Sequence, residues 1–174
     1  MYVTFGFSTT RKHHLLSSLI RKVEKTPFSH VYLKFHSDSL DRDLIYQASH
    51  FDINFMNTKL FDEKNVVIEE FDIPCTADER RAMVQYAVDK VGDPYAAMQL
   101  VGIGLVRLVR AWFGLKIHNP FSDGEKRQIC MELGGRCLRF LGVEVDETLL
   151  EEGKMSQIYD LIKKTYEDRT NVKF

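Results

Sequence analysis

The segment 29–36 alternates apolar and polar residues, and this alternation constrains the fold more than any other feature of the chain. Its apolar positions are Val31, Leu33 and Phe35. Because successive side chains of a strand point to opposite faces, the pattern predicts a strand with one buried face. Such strands are typical of antiparallel sheets that pack one face against helices. We therefore expect an antiparallel sheet that contains this segment.

Similar patterns extend this prediction to the rest of the chain. Further strands are predicted at 2–7, 44–49 and 66–73. Helices are predicted at 11–25, 76–91, 95–113, 128–141 and 156–167, and we expect an irregular loop at 51–64. The mixed order of strands and helices indicates an α+β fold. A length of 174 residues suits one domain, so we expect 1–174 to form a single unit.

Charge and cysteine content narrow the class of protein. The chain has 24 Lys and Arg against 25 Asp and Glu, a net charge of -1. This balance removes the main electrostatic argument for a nucleic-acid partner, and we expect none. The three cysteines, Cys75, Cys130 and Cys137, are an odd number. We therefore expect free thiols in a reducing, intracellular setting rather than a disulfide framework.

Two segments bear on location. The N-terminus shows no basic leader followed by a long apolar stretch, so we expect no signal peptide. The apolar segment 95–115 contains Arg107 and Arg110, and its uncharged part is shorter than the roughly 20 residues of a membrane span. We expect a buried helix there; the alternative is contact with a membrane or partner protein through Trp112 and Phe113. The expected location is cytoplasmic, or wherever another system or a virion delivers the protein.

Cys130 is the strongest candidate for chemistry. It falls in the first turn of a predicted helix, where the helix dipole stabilises a thiolate and lowers a thiol pKa. Cys137 lies within the apolar pattern of the same helix, so we expect it in the core. Cys75 follows Pro74 just before another predicted helix and shares the helix-start setting, but it too is expected to be packed.

His30 is the candidate base for this thiol. It lies on the face of its predicted strand opposite the apolar positions. A cysteine hydrolase needs an imidazole to take the thiol proton and a third polar group to orient the ring. Gln47, on an otherwise apolar strand, is the candidate orienting residue, and His50 is the alternative.

Four motifs occur in order along the chain, and they resemble one superfamily. They are Thr26-Pro-Phe-Ser-His-Val-Tyr-Leu, Leu44-Ile-Tyr-Gln-Ala, Val91-Gly-Asp-Pro-Tyr and Ile129-Cys-Met-Glu-Leu. Together they resemble the permuted papain-like cysteine hydrolases, which are circularly permuted relatives of the NlpC-type peptidases and include YiiX-like and lecithin:retinol acyltransferase-like branches. In that superfamily a histidine strand and a polar-residue strand precede the cysteine helix. The resemblance covers roughly residues 10–142.

This resemblance implies a permuted papain-like (NlpC-type) fold, a small antiparallel sheet packed with helices. It implies Cys130 as nucleophile, His30 as general base and Gln47 as orienting residue, with Gly92 and Tyr95 lining the substrate site. The implied activity is that of a cysteine peptidase or amidase, which hydrolyses a peptide, a peptidoglycan cross-peptide or another acyl substrate through an acyl-enzyme. The backbone N–H of Cys130 is then expected in an oxyanion hole.

Two further expectations complete the functional prediction. The sequence holds no Cys-x-x-Cys or His-x-x-x-His spacing, so we expect neither a metal nor another cofactor. The alternative to an enzyme is a papain-like fold retained as a catalytically inactive binding or structural module. The resemblance does not select one substrate class among those it implies.

Overall fold

The computed structural model describes residues 1–12, 15–48, 52–93, 130–152 and 154–171. Within them, five strands form one sheet: β1 (Tyr2–Thr10), β2 (His30–Ser37), β3 (Arg42–Ala48), β4 (Ile53–Asn57) and β5 (Asn65–Pro74). The same residues form six helices: α1 (Leu15–Glu24), α2 (Thr58–Lys64), α3 (Ala77–Asp89), α4 (Cys130–Arg139), α5 (Glu147–Glu152) and α6 (Met155–Asn171). The expected α+β class is therefore confirmed for these residues.

The sheet has the order β4-β3-β2-β1-β5, and every neighbouring pair is antiparallel. β2 is the central strand of the five, with β3 on one side and β1 on the other. Its apolar positions Val31 and Leu33 are fully buried and Phe35 is nearly so. On this face of the sheet α4 packs against β2, and α6 packs against β5. The main core therefore lies between the sheet and the C-terminal helices.

Two glycines let α4 approach its neighbours closely. A Cβ at position 134 would lie 2.9 Å from Cγ1 of Val31, and one at position 135 would overlap the Leu150 side chain. Most side chains at these positions would push α4 away from β2 and α5. The Gly134–Gly135 pair therefore lets α4 lie close against the central strand.

The opposite face of the sheet carries a smaller apolar cluster of Tyr32, Ile45 and Phe61, the last from α2. The ring of Tyr32 lies 4.5 Å from that of Phe61, measured between centroids. Its hydroxyl donates a hydrogen bond to Glu70 at 2.6 Å. The ring crosses β1 at Gly6, where a Cβ would overlap it. Both faces of the sheet are thus partly covered.

The segment 51–64 is where the sequence prediction is wrong. An irregular loop was expected, but residues 53–57 form β4 and residues 58–64 form α2. The side-chain oxygen of Asn57 accepts a hydrogen bond from the Leu60 backbone N–H at 2.8 Å, which caps α2. The strand was missed because Met56 faces the small second cluster, so its apolar positions do not alternate cleanly.

Other elements agree with the sequence more closely. α3 begins close to the predicted helix start with a capping box, in which Thr76 and Glu79 exchange hydrogen bonds of 2.8 and 3.2 Å. The short helix α5 was not predicted, and the predicted helix 95–113 lies outside the described residues. Among the helices that are described, none combines the length and apolar character needed to cross a membrane.

Gly6→Ala should lower the free energy of unfolding by roughly 1–3 kcal/mol, the usual cost of overpacking. The added methyl group overlaps the Tyr32 ring, which Glu70 and Phe61 hold in place. Urea denaturation of the wild type and the variant measures the difference. In a Tyr32→Leu background the ring is absent and Gly6→Ala should cost much less; an equal loss in both backgrounds would contradict this packing.

Candidate active site

Cys130 is the first residue of α4, and its side chain is almost completely buried. The backbone groups of Val31, Met131 and Cys130 lie near its sulfur and act to lower the pKa of the thiol. Two of them belong to α4 itself. The third comes from the central strand. The thiol therefore lies where the end of α4 meets the backbone of β2.

Burial sets the protonation state of this thiol. Loss of solvation raises the pKa of Cys130 to about 11, and the nearby charge of Glu132 acts in the same direction. The backbone groups near the sulfur lower the pKa, but by less than burial raises it. The lowered pKa expected from the helix start is therefore wrong. At neutral pH, about four pH units below this value, the group is a neutral thiol.

His30 lies next to Val31 and begins β2. Its ring stacks near Tyr32 with an interplanar angle of 21° and a centroid separation of 6.5 Å. A second ring, that of Phe61, lies 6.4 Å away. These two aromatic neighbours limit how the imidazole can turn. The sulfur of Cys130 lies near the backbone of Val31, the residue that follows His30 in the sequence.

Gln47 makes the contact with His30 that the sequence indicated. Its Oε1 atom lies 2.9 Å from Nε2 of His30, and its side chain is buried on β3. The same amide donates from its Nε2 atom to Oδ1 of Asn54 at 3.4 Å. Asn54 in turn donates to Oδ1 of Asp52 at 2.8 Å. His50, the alternative partner, lies outside the described residues.

Asn54 and Asp52 were missed by the sequence prediction. Asp52 directly precedes β4 and Asn54 belongs to it, and both lie in the segment that was predicted to be an irregular loop. Their spacing of two residues is the signal that was available, because residues two apart on a strand share a face. The register pairs Asn54 directly with Gln47, which brings them to the same side of the sheet.

Gly92 and Tyr95 were the predicted substrate-binding residues. Gly92 has a φ of 89°, a conformation that favours glycine, and its N–H donates to the Ile53 carbonyl at 2.8 Å. The Ile53 N–H donates to the Asp93 carbonyl at 2.9 Å. Gly92 thus ties the end of the α3 region to β4. Its contact with substrate stays a prediction, and Tyr95 lies outside the described residues.

A cluster of buried hydroxyl groups anchors the chain just before His30. Ser17 of α1 and Ser29 lie 2.7 Å apart, measured between their Oγ atoms, and Thr9 of β1 lies 3.2 and 3.3 Å from them. The backbone N–H of Ser29 also donates to the Ser8 carbonyl at 3.0 Å. These bonds fix the point at which the chain enters β2, and therefore the position of His30.

The remaining cysteines differ from Cys130. All three are free thiols, and Cys137 is fully buried in α4, as expected for a core residue. Burial raises the pKa of its thiol. Burial also raises the pKa of Cys75. Among the described residues, no cluster of three His, Cys, Asp or Glu side chains is arranged to hold a metal ion.

No protein-family model matches the sequence, and no curated protein matches it significantly.

The thiolate of Cys130 should form only at strongly alkaline pH. The ultraviolet absorbance of thiolate, taken as the difference between the wild type and Cys130→Ser, should titrate with a midpoint near 11, because burial favours the neutral thiol below that pH. A midpoint below the ordinary thiol value of about 8.5 would contradict this assignment and would restore the activated thiolate that a helix start alone predicts.

Proposed function

We propose that the chain is a cysteine hydrolase of the peptidase or amidase type, with Cys130 as nucleophile and His30 as general base. One observation carries the proposal: the backbone of Val31, the residue that follows His30, lies close enough to the Cys130 sulfur to lower the pKa of the thiol. The hydrogen bond between His30 and Gln47 adds the third member expected of such a site.

The contact with Gln47 suggests which ring nitrogen acts. Oε1 of an amide only accepts hydrogen bonds, so the Nε2 atom of His30 carries the proton. The lone pair is then on Nδ1. In the proposed step, Nδ1 takes the Sγ proton of Cys130 as sulfur attacks the acyl carbon of the substrate. Gln47 keeps the ring in this tautomer and stabilises the imidazolium that forms.

The remaining steps follow from proton and charge balance. Attack forms a C–S bond and turns the substrate carbonyl into an oxyanion, which accepts a hydrogen bond from the Cys130 backbone N–H. The oxyanion collapses, the bond to the amine or alcohol breaks, and the imidazolium returns its proton to that leaving group. Water, activated by the same Nδ1 atom, then hydrolyses the thioester and regenerates the thiol.

The raised pKa of Cys130 favours general-base catalysis over a resting thiolate–imidazolium pair. A buried neutral thiol is a poor nucleophile until a base removes its proton during attack. The backbone N–H groups of Val31 and Met131 then stabilise the negative charge as it develops on sulfur. The thiol of such a site reacts slowly with small electrophiles, and its reactivity depends strongly on His30.

The order of the site along the chain supports a permuted papain-like fold. His30 begins β2, Gln47 follows on β3, and Cys130 begins a later helix that packs on the sheet. On this proposal the substrate is a peptide, a peptidoglycan cross-peptide or another acyl compound. Contact of the apolar segment 95–115 with a membrane or partner protein stays a prediction, since the segment lies outside the described residues.

An inactive binding or structural module is the second candidate, and two observations favour it. Cys130 is only 4% exposed and its thiol is neutral. Strand alternation also directs His30 to the face of β2 opposite Val31, while α4 packs on the Val31 face. The hydrolase requires the sulfur and the imidazole to meet at the beginning of β2, where His30 is the first strand residue.

Screening of acyl-amide, acyl-ester and muropeptide libraries distinguishes the two candidates. The hydrolase should turn over at least one class, and Cys130→Ser should abolish that turnover. His30→Ala should reduce it by about 10²–10⁴-fold, the usual contribution of a general base. Cys75→Ser and His36→Ala are the matched controls and should retain activity, because neither residue belongs to the site.

The same screen can overturn the proposal. Turnover that survives both Cys130→Ser and His30→Ala would show that the hydrolase activity lies elsewhere. Absence of turnover in all three libraries, from a protein whose cooperative unfolding is intact, would favour the inactive module.

A further inference from the structure

We infer that Asp52, acting through Asn54 and Gln47, selects the tautomer of His30 and is therefore a positioning residue of the site. This inference deepens the proposed function and rests on it for its catalytic consequence. The four residues form a chain of hydrogen bonds that begins at the imidazole and ends at a carboxylate. We call this chain the polar relay.

The sheet register builds the polar relay. β3 and β4 are antiparallel neighbours, and Gln47 is the direct partner of Asn54. Asp52 precedes Asn54 by two residues and lies on the same face. The face is the one that carries His30, because Gln47 and His30 are both directed away from the main core.

The donor and the acceptor of each hydrogen bond in the polar relay are determined in turn, starting from the carboxylate of Asp52. The carboxylate of Asp52 only accepts hydrogen bonds, so the atom of Asn54 that faces it, at 2.8 Å, is the NH₂ group. The carbonyl oxygen of Asn54 then faces Gln47, which must present its own NH₂ group at 3.4 Å. The Oε1 atom of Gln47 is left for His30 at 2.9 Å.

The orientation of the Gln47 amide decides which ring nitrogen of His30 carries the proton. An amide turned by 180° would present NH₂ to His30 and would require a lone pair on Nε2. The ring proton would then reside on Nδ1, which could not accept the proton of a thiol. The Gln47 amide can present either its oxygen or its NH₂ group to the imidazole. The carboxylate at the far end supplies the preference, because it excludes the reversed chain.

Burial makes the selection effective. Gln47 is 3% exposed, so water does not replace a lost partner on its amide. A reversed Gln47 would set its carbonyl oxygen against the carbonyl oxygen of Asn54, and the hydrogen bond between the two amides would be lost. Gln47 also donates weakly to the Met56 sulfur at 3.7 Å, which favours the same orientation.

Nitrogen NMR of the full chain measures the tautomer directly. Long-range proton–nitrogen spectra of ¹⁵N-histidine-labelled protein distinguish a protonated ring nitrogen from one with a lone pair, and loss of a signal set in His30→Ala assigns His30. The wild type should show the Nε2–H form alone. An Nδ1–H form in the wild type would overturn the inference without any variant of the relay.

Asp52→Ala tests the role of the carboxylate. It should convert His30 from a single tautomer to a mixture of both, because the carboxylate that accepts from the Asn54 NH₂ group is lost. Asp52→Ala/Asn54→Asp should restore the Nε2–H form, since the new carboxylate accepts directly from the Gln47 amide. An unchanged His30 spectrum in Asp52→Ala would overturn the inference, as would a mixture that the second substitution fails to resolve.

Asp43→Ala is the matched control. Asp43 lies on the same strand as Gln47 and contacts Nδ1 of another histidine, His36, at 3.0 Å. Its loss should change the signals of His36 and leave those of His30 in place. A change at His30 in this control would show that its tautomer responds to any altered charge on the sheet rather than to the polar relay.

The rate of Cys130 alkylation by iodoacetamide adds the catalytic readout. A wrong tautomer costs about 10⁴-fold in the Ser-His-Asp template, where the carboxylate touches the histidine. Because Asp52 acts through two amides, Asp52→Ala should slow alkylation by about tenfold. The double variant Asp52→Ala/Asn54→Asp should recover the rate. An alkylation rate that does not depend on His30 would contradict the proposed function, whereas the NMR result would still decide the relay by itself.

Discussion

The packing of α4 on β2 is the contact on which the rest of the site depends. Gly134 has no side chain, so the helix approaches the central strand until Val31 fills the space that a Cβ would occupy. This approach brings the first turn of α4 to the strand backbone, where the Val31 backbone lies near the sulfur of Cys130. Adjacent glycines destabilise a helix by roughly 1 kcal/mol each relative to alanine, and the close packing offsets that loss. The same contact fixes the distance between the thiol and the start of the strand that carries His30.

Two opposing effects then determine what the thiol can do. The backbone groups near the sulfur favour a thiolate, and burial disfavours it more strongly, so the resting group is neutral. A helix start is therefore insufficient evidence for an activated cysteine when the same helix is packed tightly against a sheet. The closeness that places Cys130 beside β2 also excludes the water that would stabilise its charge. Chemistry at this site consequently depends on a base, and the hydrogen bond from His30 to Gln47 gives that base a defined protonated nitrogen.

The sequence predicted those features that arise from local pattern. Alternation in 29–36 identified a strand and the face on which His30 lies, and the helix predicted from residue 76 agrees with the Thr76 cap of α3. Gln47 was identifiable because a buried polar side chain on an apolar strand needs a partner. The pKa of Cys130 was not predictable, since it depends on how closely α4 and β2 approach in space. Asp52 and Asn54 were missed for a related reason: only the pairing of β4 with β3 shows that they continue from Gln47.

Locating an acyl group on the protein tests the central claim most directly. The wild type is incubated with an activated aryl ester, quenched in acid to preserve thioesters, digested and analysed by mass spectrometry. If Cys130 and His30 form a nucleophile and its base, the acyl group should be found on Cys130 in the wild type and should be largely lost in His30→Ala. An acyl group on Cys75 instead, or equal acylation of Cys130 with and without the imidazole, would contradict the claim.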